Sequence, residues 1–233
     1  MDYKRALIIG AGAGLSASLA RQLSAAGLSI ALAARSVDKL TDLAAETGAS
    51  VHGCDAADRA QVERLFAEVE AQGGAPDVVV YNPSARVRGP FSEIDPVAVE
   101  AAVQITALGA FHAAQEAARR MVPAGRGAIL FTGASAGVKG YPQSATFAMG
   151  KFAMRGLAQS LARELHPKGV HIGHFIIDGA IRNPARPERI DSPENPDSML
   201  DPDAIAAEYL NHLRQHRSCW SWEVELRPWV EPF

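Results

Sequence analysis

A short apolar run that ends in alternating glycines constrains the fold of this chain more than any other feature of its sequence. Residues 7–9 are Leu-Ile-Ile, and they are followed by Gly10, Gly12 and Gly14 and by a stretch of small, helix-forming residues. Gly10 permits a tight turn, Gly12 removes a side chain where a ligand approaches, and Gly14 lets the turn close on the helix. The free N–H groups at such a helix N-terminus bind phosphates. Because any tight turn favours glycine, the motif predicts a dinucleotide site only together with its surroundings.

Apolar runs alternate with amphipathic segments along the rest of the chain. The apolar runs hold few polar residues, which is typical of parallel strands covered on both faces. This alternation predicts an α/β fold, a doubly wound parallel sheet of the Rossmann type with right-handed crossovers. At this length, residues 1–233 are expected to form a single domain. The predicted strands are 7–9, 29–33, 50–52, 78–81, 128–132 and 170–177, and the predicted helices are 16–26, 37–47, 58–72, 97–121 and 145–166.

Local signals refine three parts of this pattern. Asp58 precedes one predicted helix, and Asp95 precedes another with a proline at the first helical position, so both are predicted N-caps. Residues 182–202 are rich in proline and charge, and we interpret them as a mobile surface loop that acts as a substrate lid. Residues 219–226 alternate between apolar and polar side chains, as a half-buried strand does.

Composition and charge exclude several classes of function. The net charge of −3 argues against a nucleic-acid partner. No apolar run is expected to span a bilayer, and the first residues are too short and too mixed for a signal peptide. Cys54 and Cys219 give neither a metal-binding spacing nor a disulfide framework. The sequence therefore predicts a cytoplasmic protein without a metal, a membrane or a nucleic acid as its partner.

Five segments carry altered forms of motifs that occur together in one protein family. Residues 9–16 read Ile-Gly-Ala-Gly-Ala-Gly-Leu-Ser where the family has Thr-Gly-x-x-x-Gly-x-Gly, and Asp55 matches an aspartate that meets the adenine. Residues 81–84 (Tyr-Asn-Pro-Ser) match Asn-Asn-Ala-Gly, and residues 178–179 (Asp-Gly) match Pro-Gly. Residues 147–151 (Phe-Ala-Met-Gly-Lys) match Tyr-x-x-x-Lys. Through these segments the chain resembles the short-chain dehydrogenase/reductase family over nearly its full length.

The end of the second predicted strand indicates which cofactor such a protein would bind. NAD-binding units usually place a carboxylate there for the ribose hydroxyls, whereas this chain has Arg35 and Ser36. A guanidinium binds phosphate through paired donors, so we expect NADP(H) rather than NAD(H), unless Arg35 is only a solvated strand-end residue. The resemblance implies cofactor contacts from Gly10, Gly12, Gly14, Leu15, Arg35, Ser36, Asp55, Asn82, Lys151, Gly179 and Ile181.

The catalytic residues implied by the resemblance are mostly replaced. Such reductases use a tyrosine as proton donor, a lysine that holds the ribose, a serine that polarises the carbonyl and an asparagine that holds a water relay. Here the tyrosine position is Phe147, the serine position is Ala134 and the asparagine position is Thr106, so only Lys151 is kept. Phe147 can neither stabilise nor protonate the alkoxide that hydride transfer creates.

Three nearby polar residues are candidates to replace the lost groups. Ser135 can hydrogen-bond a carbonyl, and Tyr141 in the same loop can reach the nicotinamide, although a lid or interface aromatic is the favoured interpretation of Tyr141. Asp178 takes the place of a proline beside the nicotinamide, where partial desolvation favours a protonated carboxyl that can donate. Its alternative role is a turn residue bonded to its own backbone. Lys151 is expected to hold the ribose, and a desolvated lysine can also act as an acid.

The substrate pocket is predicted from its position beside the altered tyrosine. Phe147 and Arg86 are expected to line it, and Arg86 and Arg88 can meet an anionic substrate unless they belong to a solvated loop. The resemblance also implies a homodimer or homotetramer that pairs through helices 97–121 and 145–166, and often through the C-terminal segment.

The resulting functional hypothesis is an NADP(H)-dependent oxidoreductase that acts on a small organic carbonyl or alcohol. One alternative is a reductase of an activated C=C or C=N bond, for which a tyrosine acid matters less. The other is a non-catalytic NADP(H)-binding protein.

Overall fold

Parallel strands form the centre of the molecule, and their carboxyl ends meet at one edge. A computed structural model describes residues 3–183 and 186–232. The strands are β1 (Arg5–Ile9), β2 (Ser29–Ala34), β3 (Ser50–Gly53), β4 (Val78–Tyr81), β5 (Gly127–Thr132), β6 (Val170–Ile177) and β7 (Glu223–Leu226). Within the described residues they form one seven-stranded sheet in the order β3-β2-β1-β4-β5-β6-β7, with every neighbouring pair parallel.

Helices cover both faces of this sheet because successive strand side chains point to opposite sides. In β1, Leu7 and Ile9 join the core beneath one layer of helices, and Ala6 and Ile8 join the core beneath the other. The helices are α1 (Leu15–Ala25), α2 (Thr41–Thr47), α3 (Arg59–Gly73), α4 (Pro96–Val103), α5 (Gly109–Ala124), α6 (Ala145–Leu165) and α7 (Pro202–Leu213). Helices α3, α5 and α6 supply the first layer, and α1 and α7 supply buried side chains to the second.

The predicted α/β, doubly wound parallel sheet is confirmed, and most element boundaries agree within a few residues. Asp58 and Asp95 cap their helices as predicted, through hydrogen bonds from backbone N–H groups of the first turn. The segment predicted as helix 37–47 begins instead with a 3-10 turn at Val37–Leu40. Helix α7 was missed, although Asp201 caps it with a proline at the next position, which is the same signal that marked Asp95.

The segment predicted as a lid is held by ion pairs over its described part. The Arg182 guanidinium lies 2.6 Å from an Asp191 carboxylate oxygen and 3.0 Å from an Asp201 carboxylate oxygen. The other Asp191 oxygen accepts a hydrogen bond of 2.9 Å from the Met199 N–H. Residues 184 and 185 of the predicted lid lie outside the described residues. The lid function itself stays a prediction.

The expectation that no apolar run could span a bilayer needs correction. The helical stretch Pro96–Ala124 is long and apolar enough by length and composition, with a mean hydropathy of 1.4 in its best window. Its inner face carries Ala110, Ala113 and Ala117, which are buried in the core against the sheet. This packing is that of a surface helix in a globular domain.

The same stretch is interrupted by a π-helical turn at Gln104–Leu108, against which α6 packs closely. Thr106 in this turn is buried, and a Cβ added to Gly150 would lie 2.8 Å from the Thr106 Cβ. Gly156, two turns further along α6, is exposed and would meet nothing within 4 Å. The small residue at 150 is therefore required by packing, whereas the one at 156 is not.

These two glycines give a matched test of the packing. Both substitutions by alanine gain similar helix propensity, so we expect Gly150→Ala to be less stable than Gly156→Ala by about 1–3 kcal/mol, the cost of overpacking. Denaturant unfolding of both variants measures the difference. Equal free energies of unfolding would show that α6 does not approach Thr106 this closely.

Candidate active site

The turn between β1 and α1 is open in front of its glycines. Gly10 and Gly14 have positive φ angles of 80° and 92°, and a Cβ on Gly12 would meet nothing within 4 Å. Helix α1 begins without a side-chain cap. The N–H groups of residues 12–15 donate no hydrogen bond within the described part of the chain. The turn therefore offers free donors and positive potential to an anion such as a pyrophosphate.

A serine in place of the family's last glycine ties this turn to the neighbouring strand. The Ser16 hydroxyl donates to the Gly10 carbonyl at 3.0 Å and accepts from the Asn82 amide at 2.6 Å. The Asn82 N–H also donates to the Ile9 carbonyl at 3.1 Å. Ser16 is buried, so its hydroxyl has a structural use that the sequence pattern does not reveal.

A second part of the crevice lies at the ends of β2 and β3. Arg35, Ser36 and Asp55 line a cavity of about 390 Å³ together with the glycine-rich turn. Arg35 forms no ion pair within the described residues, so its guanidinium can receive a phosphate. Lys39 lines the same cavity and was missed, although it follows Arg35 by about one helical turn. This cavity therefore has two cations, Arg35 and Lys39, on its wall.

The lysine kept from the family motif is fully enclosed. Lys151 is 2% exposed, and its Nζ donates to the Thr132 carbonyl oxygen at 2.5 Å. Burial, with a smaller contribution from the positive charge of Arg86, lowers the pKa of Lys151 to about 7. Its side chain can therefore exchange between the charged ammonium and the neutral amine near neutral pH.

The tyrosine position is filled by an apolar ring under a cation. The Arg86 guanidinium carbon lies 3.8 Å from the centre of the Phe147 ring, and the Lys151 Nζ lies 5.7 Å from the same centre. Desolvation, then the charges of Arg88 and Arg189, lower the pKa of Arg86. The sequence predicted Phe147 and Arg86 for this region, and the structure brings them into contact.

Two hydroxyl groups meet in a second cavity, which Phe147 also lines. The Tyr141 hydroxyl donates to the Ser135 Oγ at 2.9 Å, and both residues line a cavity of about 530 Å³ with Ala134 and Phe147. Thr106, at the asparagine position, uses its Oγ1 to accept from the Ala85 N–H at 3.1 Å. Ser135 and Tyr141 are thus the hydroxyl-bearing candidates that face the cavity.

Asp178 is paired with two cations. Its carboxylate lies 3.5 Å from the Lys139 Nζ and 3.3 Å from an Arg227 guanidinium nitrogen, and it is 3% exposed. Both contacts are ion pairs that fix the carboxylate at the rim of the cavity. The role of Asp178 as an acid stays a prediction. Gly179 and Ile181, which follow it, line the cavity that also holds Leu15 and Lys151.

Among the described residues no group of three or more potential ligands could hold a metal ion. The donors present suit a dinucleotide instead, because they combine free N–H groups, an arginine and a buried lysine along one crevice.

Comparison with known proteins finds similar sequences and similar structures. A sequence model described as short chain dehydrogenase matches residues 4–189. A short-chain dehydrogenase from Rhodopseudomonas palustris has a similar structure, with a TM-score of 0.82, 31% sequence identity, and 97% of this chain and 99% of that chain covered. The cyclic-di-GMP-binding biofilm dispersal mediator protein of Escherichia coli (strain K12) is 33% identical over 187 residues, which cover 79% of this chain and 76% of that relative.

A second similar structure contains a bound cofactor derivative. An alcohol dehydrogenase from the archaeon Thermococcus sibiricus, complexed with 5-hydroxy-NADP, has a TM-score of 0.85 at 24% identity, with 98% of each chain covered. At this identity the likeness concerns the fold.

The buried lysine makes stability depend on pH in a defined direction. The pKa of Lys151 is about 7 in the folded chain and about 10.4 in an unfolded one, so the unfolded state binds more protons between these values. Stability should therefore rise with pH across this window. Relative to Lys151→Met, the wild type should gain about 1 kcal/mol per pH unit between about pH 7 and 9.

Urea unfolding at several pH values measures this gain. Lys168→Met, which removes an exposed lysine, is the control and should leave the profile of the wild type unchanged. Parallel profiles for the wild type and Lys151→Met would contradict the assigned burial.

Proposed function

Since this chain belongs to the short-chain dehydrogenase/reductase family, we propose that it is an NADP(H)-dependent oxidoreductase acting on a small organic carbonyl or alcohol. One observation carries the proposal: the free N–H groups of residues 12–15 and the enclosed Lys151 lie along the same crevice. The first group suits a pyrophosphate, and the second suits a ribose beside a reacting centre.

The crevice divides into parts with different proposed partners. Gly10, Gly12, Gly14 and Leu15 would hold the phosphates through backbone donors. Arg35 and Ser36, helped by Lys39, would bind the 2′-phosphate that distinguishes NADP from NAD. The Thermococcus sibiricus enzyme with its bound 5-hydroxy-NADP supports this choice by analogy of fold. Asp55 would meet the adenine, and Asn82, Gly179 and Ile181 would border the nicotinamide half.

When bound, NADPH supplies the hydride that turns a carbonyl carbon into an alcohol carbon, while the carbonyl oxygen takes up one proton. Lys151, fixed on the Thr132 carbonyl, would hold the ribose and keep a proton available near neutral pH. The Ser135 and Tyr141 hydroxyls would orient the carbonyl oxygen. Phe147 would exclude water from one wall. Asp178 is the less favoured donor, because its carboxylate is already engaged in ion pairs with Lys139 and Arg227.

A non-catalytic nucleotide-binding protein is the second candidate. Phe147 in place of the tyrosine favours it, and the Escherichia coli relative is described by what it binds rather than by a reaction. A reductase of an activated C=C or C=N bond is the remaining alternative, since a weaker acid suffices there.

We also propose that the protein is a cytoplasmic homodimer or homotetramer. Leu108, Phe111, Met149 and Phe152 are exposed apolar side chains on or beside α5 and α6. A second copy of the chain would cover such a surface.

The first test of the cofactor site uses the arginine after β2. Arg35→Ala should weaken NADPH binding by roughly 1–3 kcal/mol and leave NADH binding nearly unchanged, because only NADPH carries the 2′-phosphate. Fluorescence titration with both cofactors measures this. Arg59→Ala, which removes an exposed arginine of α3, is the matched control. Equal losses for both cofactors would contradict the assignment.

The second test concerns the missing tyrosine. We expect Phe147→Tyr with Ala134→Ser to lower kcat/KM on the native substrate class roughly tenfold or more, because two hydroxyls would replace apolar atoms on the wall against which the substrate packs. NADPH oxidation is measured for both proteins over ketones, quinones, enones and imines. Met149→Leu, an exposed change on the same helix, is the control.

The sign of the change separates the candidate functions. A gain in ketone reduction would show instead that Phe147 is a decayed catalytic position beside a working Lys151. If neither protein oxidises NADPH with any compound of the panel, the result would favour the non-catalytic candidate.

A further inference from the structure

Three arginines face the active-site cavity without an acidic partner. Arg86 and Arg88 follow β4, and Arg189 comes from the short 3-10 turn at Pro187–Arg189; all three line the cavity that holds Phe147. The cavity also has carboxylates, from Asp178, Glu188 and Glu231. Within the described residues, none of them lies within ion-pair distance of the three guanidiniums.

Some arginines of the same region are paired. Arg182, which lines the adjoining cavity, is neutralised by Asp191 and Asp201. Arg227 pairs with Asp178, and Arg155 pairs with Glu223 at 2.7 Å. Arg86 and Arg88 are exposed and Arg189 is half-buried, and these three stand around the cavity of Phe147 without a paired carboxylate among the described residues.

The cluster carries an electrostatic cost that an anion would remove. Desolvation first, and then the charges of Arg88 and Arg189, lower the pKa of Arg86, so its charged form is disfavoured where it stands. Arg86 in turn disfavours the charged form of Lys151. One negative group among them would add attractions to each cation that offset this repulsion.

The position of the cluster ties the anion to the reacting molecule. Arg86 lies 3.8 Å above the ring that also stands 5.7 Å from Lys151 Nζ, so its guanidinium is within a small molecule's length of the proposed reacting centre. A guanidinium offers paired parallel donors, which match the two oxygens of a carboxylate. The ligand is thus a small molecule with its charged end at the arginines and its carbonyl near Lys151.

We propose that the substrate is a small oxo acid whose carboxylate is bound by Arg86, Arg88 and Arg189. This inference rests on the proposed function and names its substrate class. In the reaction, the hydride adds to the carbonyl carbon, the C=O π pair moves to the oxygen, and that oxygen takes one proton; the carboxylate is unchanged. The same cations would stabilise the developing oxyanion and so lessen the need for a tyrosine.

The test compares acids with their uncharged counterparts. NADPH oxidation is measured with pyruvate, acetoacetate and 2-oxoglutarate, with their methyl esters, and with dihydroxyacetone phosphate as the phosphate arm. We expect kcat/KM for the best acid to exceed that of its ester at least tenfold. Arg86→Gln and Arg88→Gln should each lower the value for the acid roughly tenfold and the value for the ester less than twofold.

Two further variants control for structure and charge. Arg86→Lys keeps the charge but loses the paired donors, and it should fall between the wild type and Arg86→Gln. Arg59→Gln removes an exposed arginine of α3 and should leave kcat/KM unchanged for both the acid and the ester. Calorimetric titration with oxalate, which cannot be reduced here, provides a readout that does not need turnover.

The outcomes separate this inference from the proposed function. Equal kcat/KM for acids and esters, or no effect of the arginine variants, would overturn the inference and leave the oxidoreductase proposal standing. Preference for the phosphate compound would overturn the carboxylate assignment. Arginine-dependent oxalate binding without any turnover would support the anion site while the proposed function fails. Absence of both oxalate binding and turnover would overturn the proposed anion site.

Discussion

The reversal of strand order between β1 and β4 is the constraint on which the rest of the structure depends. These strands lie side by side and parallel, but the connections that leave them run to opposite sides of the sheet. A crevice therefore opens above their carboxyl ends. The turn after β1 forms one lip, the loop after β4 brings Arg86 to the other, and the turn after β5 brings Ser135 across. No single loop could collect these groups.

Within this crevice, two cationic side chains lie beside the ring that takes the tyrosine position. Lys151 is desolvated, and Arg86 lies over an apolar ring where a phenol would stand in relatives with the complete motif. Such an arrangement is unfavourable until anions arrive, because buried or crowded cations lack the solvation they have in water. Under the proposed function, the same groups would favour negatively charged molecules.

The sequence predicted the sheet well, because most of its strands hold few polar residues and alternate with amphipathic helices. It also predicted that Phe147 and Arg86 belong to one region. It did not predict the contact between them, the hydrogen bond from Tyr141 to Ser135, or the ion pair between Asp178 and Arg227. These depend on how loops from distant parts of the chain fold back over one edge, which no local pattern encodes. Helix α7 is different, since its Asp-Pro start was visible in the sequence.

Ser16, which replaces the last glycine of the motif, orders the turn after β1 during folding. Its hydroxyl joins the Gly10 carbonyl to the Asn82 amide, so the phosphate-facing turn is cross-linked to β4 before any ligand is present. A glycine at this position would leave the turn freer in the empty protein. The conformational entropy of the turn is thus lost during folding rather than during association, and a dinucleotide meets a surface that is already in place.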